Sequence, residues 1–240
     1  MRDNELKDKI KVFIKYTVRT LFFFHIGLAL LFMGFGLYLR KNHFSITTIM
    51  LYREKVFTHN IKPIEFIPLD EIPDAVVKSV IFAEDSNFYS HHGIDFGALI
   101  LSYFANRRLG YRFYGGSTIT QQLSRTLFLI PKRTLVRKYF EVIIAVSLET
   151  VLPKDRILEL YLNSCEWGKG VFGIGQASEY YFGKPASRLS LDEYTRLVTI
   201  LPSPLKYSPY TFENNSFLNN RYIYSKFRHY TFEKFHGENN

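Results

Sequence analysis

Residues 115–123 read Gly-Gly-Ser-Thr-Ile-Thr-Gln-Gln-Leu, and the chain is best understood outward from this stretch. Gly115 and Gly116 mark a loop. Thr118 and Gln121 have the S/T-x-x-E/Q spacing of a capping box, in which each side chain satisfies the other residue's backbone N–H, so a helix is expected to begin here. Arg125 follows Gln121 by one turn on the same face. The free N–H groups and dipole of such a helix start offer a seat for phosphate, although an ordinary cap is the plainer reading.

Upstream, Pro73 stands at a plausible first helical turn, and Val76, Val77, Val80 and Ile81 follow at helical spacing. Glu84 lies four residues after Val80 and seven after Val77, so it emerges on the apolar stripe. Desolvation there moves a carboxylate toward the range useful for a general base. A glutamate at a frayed helix end, reaching water, fits the same periodicity. Downstream, Lys132, Arg133, Arg137, Lys138 and Glu141 form a dense charged run. Arg133, Arg137 and Glu141 are spaced by fours and would share one helical face. That face is either solvated, with an ion pair worth a few tenths of a kcal/mol, or a clamp whose guanidinium forks suit a diphosphate.

The 240 residues are 47% hydrophobic and 22% charged, enough to bury a core and unlike a disordered chain. The net charge is +9, and residues 1–41 carry eight Lys/Arg against three Asp/Glu. No zinc-finger spacing, RNP-type segment or basic helical stripe accompanies that charge, which argues against nucleic acid as a partner. Leu21 to Leu39 is free of Asp, Glu, Lys and Arg and apolar on every face. As a helix it spans roughly 28 Å, the thickness of a bilayer's hydrocarbon core. It is too long for a signal-peptide core and lacks a cleavage site, so a retained single transmembrane span is expected. Lys7, Lys9, Lys11, Lys15 and Arg19 should hold the segment 1–20 in the cytoplasm and place the rest outside it. Residues 40–66 read as a connector, 67–210 as a helical domain without clear period-two strands, and 211–240 as an aromatic-rich, helical tail.

Several local matches lead nowhere. Gly168 to Gly173 fits G-x-G-x-x-G, but the stretch before it reads as a helix rather than a strand. Ser203 to Lys206 fits S-x-x-K without its companion motifs, and Pro204 interrupts the helix it needs. His91 and His92 near Asp95 lack a metal-ligand spacing, and no metal site is expected. The single Cys165 excludes an intramolecular disulfide; with Glu166 beside it disfavouring the thiolate, it reads as a packing residue.

Together the segments resemble the peptidoglycan glycosyltransferases of glycosyltransferase family 51 across roughly residues 66–210. Their first motif, E-D-x-x-F-x-x-H-x-G, is matched by Glu84, Asp85, Phe88, His91 and Gly93. The second stands unchanged from Gly115 to Leu123. The third is matched by Arg133-Thr134-Leu135 with Arg137, Lys138 and Glu141, the fourth by Ile157 to Asn163, and the fifth by Gly173 to Phe182. The short chain and its N-terminal span resemble the monofunctional form. Two positions depart: the family usually has Lys at Arg125 and an acidic residue at Gly175.

The resemblance implies a mostly α, lysozyme-like helical domain with a small membrane-associated lobe, following one transmembrane helix. It implies glycan-strand polymerisation at the extracytoplasmic face of the inner membrane, from lipid II and a glycan linked to undecaprenyl diphosphate. Glu84 and Glu141 would be catalytic. Asp85, His91, Ser117, Thr118, Gln121, Gln122, Arg125, Arg133, Arg137 and Lys138 would bind substrate. No cofactor is required, a divalent cation (Mg²⁺ or Mn²⁺) is compatible, and other cell-wall synthesis proteins are compatible partners. The rivals are a lysozyme-like glycan-cleaving enzyme, which needs a protonated acid that a ring of Arg and Lys opposes, and an inactive membrane scaffold.

Overall fold

The computed structural model describes residues 2–57, 61–110 and 115–236. Its first element, α1 (Arg2–Leu39), is one continuous helix in which the basic segment runs unbroken into the apolar one. Residues Leu6–Leu39 are long and apolar enough to cross a membrane. Phe22, Phe23, Phe24, Leu30 and Leu31 are exposed along it, a surface suited to lipid rather than water. Within the expected connector a second helix forms, α2 (Thr48–Phe57).

The domain then builds from α3 (Asp74–Glu84), α4 (Phe96–Leu109), α5 (Ile119–Phe128), α6 (Leu135–Val151) and α7 (Lys154–Ser164). A hairpin of β1 (Glu166–Gly168) and β2 (Val171–Phe172) leads into α8 (Ile174–Phe182), α9 (Leu191–Ile200) and α10 (Ser216–His236). This is the mostly α, lysozyme-like class expected from the sequence, after one long apolar N-terminal helix. The antiparallel hairpin pairs Glu166 with Phe172 and Gly168 with Val171. It accounts for the glycines that imitated a nucleotide motif: Gly170 and Gly173 turn the chain with φ of 76° and 80°.

Helices α5, α6 and α7 form the centre. Leu123, Ile144, Leu148, Ile157, Leu158 and Leu160 are fully buried between them, and each such side chain contributes roughly 1.5–3 kcal/mol. The stretch just after the connector is fastened by an amide: Asn163 Oδ1 accepts Ile67 N–H and Asn163 Nδ2 donates to Ile67 O, both at 2.8 Å. Glu159 accepts Leu69 N–H at 2.8 Å. The polar residues of the fourth motif therefore do structural work. At Gly175 a Cβ would lie 2.5 Å from Ile67 Cδ1, so Ile67 packs where the family usually carries an acidic side chain.

The N-terminal helix is part of this packing. α1 and α6 lie side by side, with His25 paired to Tyr139 at one end. At the other end Gly36 sits so close that a Cβ would fall 2.5 Å from Val151 Cγ2 and 3.3 Å from Leu148 Cδ2. Gly36→Leu is therefore expected to force the helices apart and destabilise the detergent-solubilised protein by about 1–3 kcal/mol. A thermal midpoint equal to that of the unaltered protein would contradict the close contact.

Candidate active site

Glu84 is the last residue of α3 and its side chain is only 11% exposed. One carboxylate oxygen accepts Gln122 Nε2–H at 2.9 Å. The other accepts Arg221 Nη2–H at 2.5 Å, from α10. Tyr161 O–H donates to Gln122 Oε1 at 3.2 Å, which leaves the Gln122 amide nitrogen facing Glu84. Burial, then the Glu84 carboxylate, raises the Tyr161 phenol well above its ordinary range and keeps it a donor. The frayed-end reading does not hold. The stripe does bury Val76 and Val80, and Glu84 comes to rest among polar partners supplied from far along the chain.

Asp85, His91 and Thr118 form a staple behind Glu84. Asp85 Oδ2 accepts both the Ile119 backbone N–H at 2.9 Å and the His91 ring at Nε2, 2.8 Å away. Gly93 N–H donates to His91 Nδ1 at 3.2 Å, so the Nε2 nitrogen carries the ring proton. Thr118 completes the capping box with Gln121 and donates to Gly93 O at 2.7 Å. Gly93 has φ +87°, and a Cβ there would come 3.1 Å from the Ala145 carbonyl carbon. The expected phosphate seat at the start of α5 is thus taken by the Asp85 carboxylate, an anion placed where the helix dipole favours one.

Glu141 is completely buried and paired with both Arg137 and Lys138. Lys138 Nζ also donates to Ser117 Oγ at 2.9 Å and Gln121 Oε1 at 3.3 Å. Arg133 does not share their helical face. Thr134 caps α6 by accepting Arg137 N–H, so Arg133 lies before the helix. A Thr three residues before Arg137 was a readable N-cap signal.

Two clefts meet at the Glu84–Gln122 hydrogen bond. One, of about 790 Å³, is lined by Glu84, Asp85, Ser117, Thr118, Asn220 and Arg221. The other, of about 420 Å³, is lined by Gln122, Arg125, Arg133 and Arg137, with Arg53 and Lys206 among the rest. Arg53 is held by the Glu166 carboxylate at 2.9 Å. The side chains of Arg125 and Arg133 make no hydrogen bond or ion pair among the described residues. The cations therefore divide: Arg137 and Lys138 neutralise a buried carboxylate, while Arg125 and Arg133 face open space.

A model of the transglycosylase family matches residues 54–228. The chain belongs to the transglycosylase family. It is 45% identical over 139 residues to a biosynthetic peptidoglycan transglycosylase of Ralstonia nicotianae, covering 58% of this chain and 59% of the relative. A protein of the same description from Burkholderia vietnamiensis is 44% identical over 140 residues, 58% of this chain and 57% of the relative. A third, from Burkholderia cenocepacia, is 45% identical over 140 residues. The matched stretch spans less than three fifths of each of these relatives.

Sequence reasoning missed Arg53, Lys206 and Arg221. Lys206 belongs to the discarded S-x-x-K match, and it lines the cationic cleft rather than activating a serine. The cause given for Cys165 also needs correcting. Burial first, and Glu84 second, push its thiol well above the ordinary range, while Glu166 is turned toward Arg53. Among the described residues no group of three His, Cys, Asp or Glu gathers to hold a metal. The staple is expected to act on stability: Asp85→Asn and His91→Ala should each cost about 1.5–3 kcal/mol. Denaturant unfolding of both and of the double variant should show strong coupling, and additive losses would mean that the pair is not a unit.

Proposed function

We propose that the chain polymerises peptidoglycan strands, joining the GlcNAc 4-hydroxyl of lipid II to the anomeric carbon of a glycan held on undecaprenyl diphosphate. The reading rests on one arrangement: a fixed carboxylate at the lip of one cleft, with unpaired guanidinium groups in the next. Glu84 takes the acceptor hydroxyl proton as the oxygen–carbon bond forms. The bond from the anomeric carbon to the diphosphate breaks from the opposite side, its electron pair leaves with the diphosphate, and configuration inverts. Arg125 and Arg133 receive that charge directly. Arg137 and Lys138, held by Glu141, support the wall of the cleft and add to its positive field. A diphosphate leaves without a strong general acid, so the mechanism needs one base and several cations. Ser117, Gln121 and Gln122 shape the junction. Asp85, His91 and Thr118 hold Glu84 and the start of α5 in register. A divalent cation at the diphosphate is compatible with this scheme and is not part of it.

We place the protein in the cytoplasmic membrane by α1, with its lysine-rich end in the cytoplasm and the domain on the extracytoplasmic side. The exposed Phe96, Ile100, Leu101 and Phe104 of α4 support a lobe lying against the same membrane that holds both substrates. A C-terminal reporter fusion active only in the cytoplasm would reject this topology.

Purified protein given labelled lipid II should release undecaprenyl diphosphate and form polymer. Glu84→Gln should lower the rate at least about a hundredfold, the scale of general-base catalysis, while lipid II binding persists. Arg125→Ala and Arg133→Ala should each cost about ten- to a hundredfold in turnover or apparent KM. Polymerisation by a folded Glu84→Gln variant within a few-fold of the unaltered protein would defeat the mechanism, and cleavage of finished glycan would replace synthesis with hydrolysis.

A further inference from the structure

Arg221 reaches Glu84 from a helix that the five motifs do not include. Its guanidinium donates to three acceptors on two other helices: Glu84 Oε1, Ala83 O at 3.2 Å and Val198 O at 3.2 Å. Ala83 O belongs to the last turn of α3, where carbonyl groups lack helical partners and a cation is favoured. The same guanidinium therefore closes the end of α3 and grips the side chain of its final residue. Gln122 holds the other carboxylate oxygen, so neither oxygen is free to swing.

The helix that carries Arg221 is itself fixed. Asp192 on α9 receives hydrogen bonds from Tyr222, from Lys226 at 3.0 Å and from Arg196 at 2.6 Å. These bonds, that from Tyr222 first, hold the Asp192 carboxyl far below the usual carboxylate range. Arg196 also donates to Glu213 Oε1 at 2.9 Å, just before α10 begins. Phe217, Asn220, Arg221, Tyr224 and Ser225 recur at i, i+3, i+4, i+7 and i+8 and turn one face to the larger cleft. Within that face Arg221 is the single charge.

We propose that Arg221 is the positioning residue for Glu84: it aims the carboxylate at the acceptor side of the junction and sets a fixed positive charge against it. This rests on the base role given to Glu84. Each carboxylate oxygen can accept more than one hydrogen bond, so the Arg221 and Gln122 bonds leave lone pairs for an incoming hydroxyl. The other titratable or charged groups around Glu84 are Tyr161 on α7, Cys165 just past its end, Arg125 on α5 and Asp85, which follows Glu84. Burial keeps the first two uncharged at neutral pH. Arg125 faces the neighbouring cleft, and Asp85 is committed to Ile119 and His91. That leaves Arg221 as the cation in contact with the base among the described residues.

The test uses the full-length protein in detergent with lipid II. Arg221→Ala should lower kcat about ten- to a hundredfold while apparent KM stays within a few-fold. The acid limb of the kcat/KM profile should move upward by about one pH unit or more, the usual effect of removing an adjacent opposite charge. Added guanidinium ion should restore part of the rate. In a Glu84→Gln background the same substitution should cost little more, because the two act as one unit. If Arg221→Ala fails to fold, Arg221→Lys and Arg221→Gln decide. The lysine variant should keep the limb near its original pH and the glutamine variant should not; equal profiles would overturn the proposal. An Arg221→Ala protein with unchanged kcat and limb, beside an inactive Glu84→Gln, would overturn the role of Arg221 and leave the base in place. An active Glu84→Gln would instead remove the reading on which the proposal stands.

Discussion

Asp85 Oδ2 accepts the first backbone N–H of α5 while it also accepts the His91 ring proton. A carboxylate with those two donors at a helix N-terminus can neither rotate nor leave without exposing buried polar groups, a loss of several kcal/mol. The bond also sets distances elsewhere. It fixes the residue after Glu84 to the residue three before Gln122, so the Glu84–Gln122 hydrogen bond follows from the staple. The larger cleft, the cationic cleft and the bond between them share this one reference point.

The cationic residues show how burial divides side chains of like charge between two tasks. A fully buried Glu141 would be intolerable alone, and Arg137 and Lys138 are spent on it. What they gain is order: Lys138 is drawn into contact with Ser117 and Gln121, and α6 is tied to the loop that opens α5. Arg125 and Arg133 have no such partner among the described residues, so the binding of an anion does not first require an ion pair to break. Replacing the usual lysine by Arg125 adds a planar fork with five donors at that position.

The sequence was most legible where the physics is local. The capping box of Thr118 and Gln121, the buried stripe of Val76 and Val80, and the Glu141 pairing with Arg137 all join residues no more than four apart, and all stand as read. The role of α10 was invisible for the opposite reason. Glu84 and Arg221 are 137 residues apart, and nothing in either neighbourhood encodes the other. The recurrence of Phe217, Asn220, Arg221, Tyr224 and Ser225 on one helical face was the available hint, obscured by the many aromatics of the tail. Arg133 was misplaced because a spacing of four implies a shared face only if the helix has already begun, and Thr134 starts it one residue later.

The contact of Gly36 with α6 makes α1 part of the domain's interior. Leu39 belongs to the same buried cluster as Ile144 and Leu148, and α6 carries Glu141 within the span that leans on α1. A chain cut just before residue 40 would consequently not be the same domain made soluble. It would bare a stripe of α6 running from Tyr139 to Val151, lose the cover over Leu148, and seek other apolar surfaces, including copies of itself. Keeping α1 intact, rather than removing it, is what preserves the interior of the domain.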